Sequence, residues 1–177
     1  DIAVSKGMIV VNSAGNEGSS SWYYIGAPAD GDSVFSIGAV NASGSYASFS
    51  SHGPTYDGRM KPNVVAQGSG TTIINASTGN VTTGSGTSFS SPITAGMVAC
   101  LWQAHPNRRN TQILEAVQQS ASLANNPNYN LGYGIPNYFT AHNLLTLPVT
   151  YNFSLTVKVF LEGTFNGLTM NTNLNSI

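Results

Sequence analysis

Charge is scarce in this 177-residue chain: six Lys+Arg and seven Asp+Glu make up 7% of the residues, for a net charge of -1. An ordinary soluble domain carries about 25% charged residues, so nucleic-acid binding by a basic face is not expected. Cysteine is represented by Cys100 alone. An intramolecular disulfide and a cysteine-based metal site are thereby excluded, and such a thiol is expected to pack as a small hydrophobe. No apolar run approaches the ~18 residues of a membrane-spanning helix, and Asp1-Ile2-Ala3-Val4-Ser5-Lys6-Gly7 has neither the basic start nor the long apolar stretch of a signal peptide. What is abundant is small and neutral: 19 Gly, 22 Ser, 16 Thr and 19 Asn. That composition excludes a coiled coil, while 41% hydrophobic residues suffice for the core of one globular domain or a large piece of one.

The periodicity is that of an α/β protein in which strands come first and helices later. The opening residues read as the last turns of a helix ending at Gly7, and the chain is expected to be part of a longer protein. Met8-Ile9-Val10-Val11 is a continuous β-branched run suited to a parallel strand covered on both faces. Further strands are expected over Val34–Val40, Asn63–Ala66 and Thr72–Ile74. From Thr87 to about His105 the sequence suits one long helix, with Pro92 near its start and Pro106 past its end. Small residues at i, i+4 spacing (Ser91, Ala95, Ala99 and Ser88, Pro92, Gly96) predict that this helix is central and buried. A second helix is expected from Thr111 to about Ser122, capped by Asn110 or Thr111, and a last short one ending near Leu145. From Val149 to Val159 apolar and polar residues alternate strictly, and Asn166-Gly167 signals a hairpin. Residues 147-177 are therefore read as the start of a β-rich module distinct from residues 1-146.

Two segments can carry chemistry. Gly84-Ser85-Gly86-Thr87-Ser88 places a serine where a glycine-rich turn enters the long helix, at the positive end of its dipole and beside free backbone N–H groups. A serine there is first of all a helix cap. Asn12-Ser13-Ala14-Gly15-Asn16 leaves the end of an apolar strand, where open α/β sheets place their sites, and an Asn amide suits oxyanion stabilisation. No phosphate-binding loop and no G-x-S-x-G nucleophile elbow occurs.

Three stretches in register resemble the subtilisin-like serine peptidases. Gly86-Thr87-Ser88-Phe89-Ser90-Ser91-Pro92 is similar to that family's G-T-S-x-[AS]-x-P signature, Ala14-Gly15-Asn16-Glu17-Gly18 to its oxyanion-Asn motif, and Ala47-Ser48-Phe49-Ser50-Ser51-His52-Gly53-Pro54 to its A-x-F-S-x-x-G-P turn. Leu131-Gly132-Tyr133-Gly134 agrees as well, and the likeness covers about residues 1 to 146. The resemblance implies a parallel sheet flanked by helices, lacking its N-terminal portion. It further implies Ser88 as nucleophile, an oxyanion hole formed by Asn16 and the Ser88 N–H, and a pocket for the residue before the scissile bond lined by Ser13, Ala14, Gly15 and Gly26. The substrate would be a peptide or protein, no cofactor is called for, and secretion is the family's habit. Ile93, Gln67 and Asn63 depart from residues common in the family, and none of these positions is catalytic.

The triad Asp and His of such enzymes are expected upstream, since neither of their motifs is present. His52, His105 and His142 are read as structural. Asp30 and Asp32 sit in a short turn, far from the 6–8 oxygens that calcium requires. The sequons at Asn41, Asn75, Asn80 and Asn152 are matches that an Asn-, Ser- and Thr-rich chain produces by chance. Against the peptidase stand two rivals: a pseudopeptidase that keeps the fold for binding, and an adhesion or carbohydrate-binding role resting on residues 147-177. The aromatic run Trp22-Tyr23-Tyr24 is read as packing beside the specificity pocket rather than as a ligand platform.

Overall fold

The computed structural model describes residues 1–146. The expected strand at 149–159, the hairpin at Asn166-Gly167 and the β-rich module lie outside the described residues.

Helix α1 (Ile2–Ser5) ends at Gly7, whose φ of 92° turns the chain toward the sheet. Three strands follow, β1 (Val11–Ser13), β2 (Phe35–Val40) and β3 (Val64–Gln67), all parallel in the order β1-β2-β3. The register sets Val11 opposite Phe35 and Ile37 opposite Val64. Every residue of β2 is buried, as a central parallel strand covered on both faces must be. β1 differs from expectation: pairing begins at Val11 and runs on through Asn12 and Ser13, while Met8 is exposed. Its three residues are only half-buried because β1 is an edge strand among the described residues. The Gly132–Gly134 segment lies along β3, where Tyr133 N–H donates to Asn63 O at 2.9 Å and Val65 N–H to Gly134 O at 3.0 Å.

β4 (Thr71–Ile74) pairs antiparallel with β5 (Val81–Gly84). β5 is not legible in the sequence, since Val81-Thr82-Thr83-Gly84 carries one large apolar residue. The signal lay in the turn between the strands, where Asn75 Oδ1 accepts the Ser77 and Thr78 N–H groups at 2.9 and 3.1 Å.

α2 (Thr87–Ala104) packs across all three parallel strands and against α3 (Asn110–Gln119) and α4 (Tyr138–Thr146). Thr87, Ser90, Thr94, Val98 and Leu101 form its buried stripe. The faces of small residues are not buried as expected: Pro92, Gly96 and Ala99 are exposed, and so is Cys100, which therefore does not pack as a core hydrophobe. The reason is geometric: the sheet, α3 and α4 cover the buried stripe of the helix, and among the described residues the face carrying Pro92, Gly96 and Cys100 is left exposed. Pro92 is the sixth residue of α2, one turn later than its most favourable place, and its missing N–H leaves the Ser88 carbonyl without its helical donor.

The core joins Phe35, Ile37 and Val64 of the sheet to Val98 and Leu101 of α2, Ile113 and Val117 of α3, and Ala141 and Leu145 of α4. α3 begins at Asn110 with Arg109 as its cap, whose N–H donates to Gln112 Oε1 at 2.9 Å. Asn110 is therefore not the cap. Its buried amide instead donates to the carbonyls of Val4 and Met8, both at 2.9 Å, fastening the first turns of the chain to α3. Lys61 is almost wholly buried, and burial lowers its ammonium to about 8. The ammonium donates to Val34 O and, at 2.9 Å, to Asn63 Oδ1, which also accepts the Ser36 N–H at 2.8 Å.

Candidate active site

β1 ends at Ser13, and Ala14 N–H still donates to Ile37 O at 2.9 Å, so the loop that follows leaves from the carboxyl end of the sheet. It is held on its far side by the Ala47–Pro54 turn. Ser51 N–H donates to Gly15 O at 2.9 Å, Glu17 N–H to Ser51 Oγ at 2.9 Å and Gly18 N–H to Phe49 O at 2.8 Å. A side chain at Gly18 would meet Ser50 O at 2.3 Å, which explains glycine there. The family-like turn around Phe49 thus serves as the clamp that presents Asn16.

The second half of the site arrives from β5. Gly84-Ser85-Gly86 crosses to the start of α2, with Gly86 N–H on Gly68 O at 2.7 Å and Gly86 at φ 155°. Thr87 joins the halves. Its N–H donates to Asn16 Oδ1 at 2.9 Å and its hydroxyl to the same oxygen at 3.0 Å, while Thr87 Oγ1 accepts the Gly15 N–H at 3.2 Å. A Cβ placed on Gly86 would stand 3.0 Å from Ser88 Oγ and 3.6 Å from Asn16 Nδ2, so the hydroxyl and the amide flank one small space that glycine keeps open. Ser88 and Asn16 are exposed, whereas Thr87, between them, is buried. Thr87, the first residue of α2, has no role assigned from the sequence; its signal there is a β-branched hydroxyl between Gly86 and Ser88.

Beside this space lies a 330 Å³ cavity lined by Ser13, Ala14, Gly15 and Gly26, the four residues expected at the substrate pocket, together with Asn12, Glu17, Trp22, Tyr24, Ala27, Pro28, Ala29 and Ser51. Its floor is firm because Ala14, Ile25 and Ala29 pack together beneath it. Trp22 and Tyr24 meet edge to face at 6.2 Å on its rim.

The histidines stand elsewhere. His105 caps the C-terminus of α2, 17 residues beyond Ser88, which at the rise of a helix is about 25 Å along the axis. Its Nε2 lies 3.0 Å from His142 Nδ1. Burial, then His142 and Arg108, hold His105 below its ordinary value. His52 stacks on Tyr23 at 5.2 Å, and its Nδ1 lies 2.9 Å from Gly53 O. Asp32 turns to Arg59 at 3.7 Å. Arg59 also binds Asp57 at 2.8 Å and donates to the Asp30 carbonyl at 2.9 Å. Arg59 and Thr55 hold Asp57 at about 2. Among the described residues no three His, Cys, Asp or Glu side chains gather to hold a metal ion.

A parallel sheet that carries one half of a polar site at its strand ends, facing the other half at the start of a packed helix, places this molecule among the α/β proteins that use the carboxyl edge of the sheet. Within that class the family is definite. The subtilase family profile matches residues 1–134, and the chain belongs to that family. It is 38% identical to subtilisin E of Bacillus subtilis (strain 168) over 138 residues, covering 77% of this chain and 34% of that protein. With the thermophilic serine proteinase of Bacillus sp. (strain AK1) it shares 37% over 140 residues, covering 78% and 32%. Among solved structures, the self-cleaved protease domain of PatA aligns with a TM-score of 0.66 at 25% identity, over 81% of this chain and 52% of that one. The prenylagaramide maturation protease PagA aligns at 0.67 with 22% identity, over 82% and 53%, a likeness of fold. The chain thus spans about a third of the length of the curated relatives it matches. Among the described residues no helix is long and apolar enough to cross a membrane.

Proposed function

We propose that this chain carries the nucleophile half of a serine endopeptidase. The observation that supports this reading most directly is the pair of Thr87 hydrogen bonds to Asn16 Oδ1, which turn the amide N–H groups toward the space beside Ser88 Oγ. In the reaction, Ser88 Oγ bonds to the peptide carbonyl carbon as its proton passes to an imidazole supplied from outside the described residues. The carbonyl oxygen becomes an oxyanion, held by Asn16 Nδ2 and the Ser88 N–H at the positive end of α2. Collapse of the tetrahedral adduct expels the amine, which takes the proton from that imidazole; water then releases the acyl group by the same steps in reverse. The residue before the scissile bond enters the cavity of Ser13, Ala14, Gly15 and Gly26. A secreted enzyme acting on peptide or protein substrates completes the proposal.

The test is fluorophosphonate labelling of the whole protein and of the 177-residue chain. The whole protein is expected to label on Ser88, with loss of the label in Ser88→Ala. The chain by itself is expected to stay unlabelled and to hydrolyse a peptide ester no faster than buffer. Turnover by the chain alone would overturn the assignment of the base, and labelling of the whole protein at another residue would overturn Ser88.

A further inference from the structure

A second cavity of 690 Å³ backs onto the candidate substrate pocket. Trp22, Tyr24, Gly26 and Ala27 line both cavities, so the two share a wall. Tyr23 and Tyr56 form the rest of its aromatic lining, and Asp30 is the one charged residue in that lining. These rings are costly to leave in water: Trp22 is 63% exposed and Tyr56 fully so. The wall is also held in a strained shape. Tyr23 has φ 37°, a conformation a bulky residue rarely adopts. It is kept there by stacking on His52 and by the His52 N–H on Tyr23 O at 3.1 Å. Tyr23 Oη and Tyr24 Oη meet at 3.3 Å. Packing beside the pocket therefore describes only the His52 side of this cluster, and the other side is open.

The charge of the two cavities selects their occupant. Asp30 lines one and Glu17 the other, and no Lys or Arg lines either. Arg59 gives its guanidinium to Asp57, Asp32 and the main-chain carbonyl of Asp30, and among the described residues the Asp30 carboxylate feels Arg59 and Lys61 only through space, with no ion pair closed on it. Aromatic faces beside an acidic residue attract a cation, and a planar guanidinium meets both demands by stacking on a ring while its N–H fork reaches a carboxylate.

We infer that the cavity of Trp22, Tyr23, Tyr24, Tyr56 and Asp30 is a binding site for an arginine side chain of a polypeptide. Its role as a substrate subsite beside the scissile bond rests on the reading of Ser88; the binding itself does not.

The two tryptophans make a direct test possible. Trp102 donates its indole N–H to Arg108 O at 3.0 Å and is an internal control remote from the cavity lining. Nα-acetyl-arginine amide, titrated into the 15N-labelled full chain, is expected to shift the Trp22 indole resonance saturably, with affinity of the order of millimolar, and to leave Trp102 in place. Nα-acetyl-citrulline amide, which keeps the shape and loses the charge, is expected to bind about three- to thirtyfold more weakly. Asp30→Asn is expected to weaken arginine binding by a similar factor. Equal binding of citrulline, a response as large to Nα-acetyl-phenylalanine amide, or no saturable shift with arginine would each overturn the site. Because this readout needs no turnover, arginine binding by a protein that fails to label at Ser88 would keep the site and remove only the peptidase reading.

Discussion

The two ends of α2 solve opposite problems with the same helix. At its start Ser88 and Asn16 are exposed, and the hydrogen bonds that order them run through the buried Thr87. At its finish His105 meets His142, and Arg108 donates twice to the Leu145 carbonyl, so polar groups close on one another and tie α4 down. The first end leaves Ser88 and Asn16 open to solvent. The second spends its polar groups on the fold. Between the two, Val98 and Leu101 anchor the helix in the core, so that neither end has to supply the stability that holds it in place.

If that division is right, changes at the two ends separate cleanly. Asn16→Ala in the whole protein is expected to lower peptide turnover by about 10²–10³, a magnitude carried over from loss of the same kind of donor in a subtilisin, a member of this family, and to cost only about 1–3 kcal/mol of stability as Thr87 loses its acceptor. Steady-state kinetics beside a melting curve would check it, and a large loss of stability with unchanged turnover would break the comparison. Leu101→Ala, deep in the core between the ends, is expected to cost about 2–5 kcal/mol in a denaturant titration of the chain. A loss far below that range would mean that α2 is held mainly by its ends.

The smallest expected effect is on pH dependence. His105 binds its proton less readily folded than unfolded, because of burial, His142 and Arg108. Its contribution is therefore fully present above the ordinary value of about 6.5 and is lost as pH falls below it, toward the lowered folded value. The unfolding midpoint is expected to drop between pH 7.5 and pH 5, and His142→Gln, which removes one of the facing charges, is expected to flatten that slope. A profile identical in both proteins would show that the pair does not couple α2 to α4.

Much of the frame was legible in the residues. β2 stands out as an unbroken apolar run, α2 is bounded by Gly86 and Pro106, and Ser88 and Asn16 sit in stretches whose spacing resembles the family's. The four residues expected at the pocket, Ser13, Ala14, Gly15 and Gly26, come together on one cavity because two of the resembling stretches fold against each other. What escaped was whatever depends on a partner distant in the chain. Asn110 looks like a cap until Val4 and Met8 present carbonyls to it, and β5 looks like a loop until β4 pairs with it. Cys100 and the small faces of α2 look like core because i, i+4 spacing defines a face without saying which layer covers it.

The sequence by itself determined the local matters: where helices begin and end, which strand is central, and which serine stands at a helix N-terminus. These depend on residues a few positions apart, through dihedral preferences and periodicity. Only the tertiary structure decided that Thr87 fixes the orientation of Asn16 from 71 positions away, that His105 closes on His142 rather than on Ser88, and that Trp22 and Tyr24 form a wall between two cavities. Those contacts form between segments brought together by burying the sheet and α2 in a common core, and no local preference encodes which distant group will be waiting there.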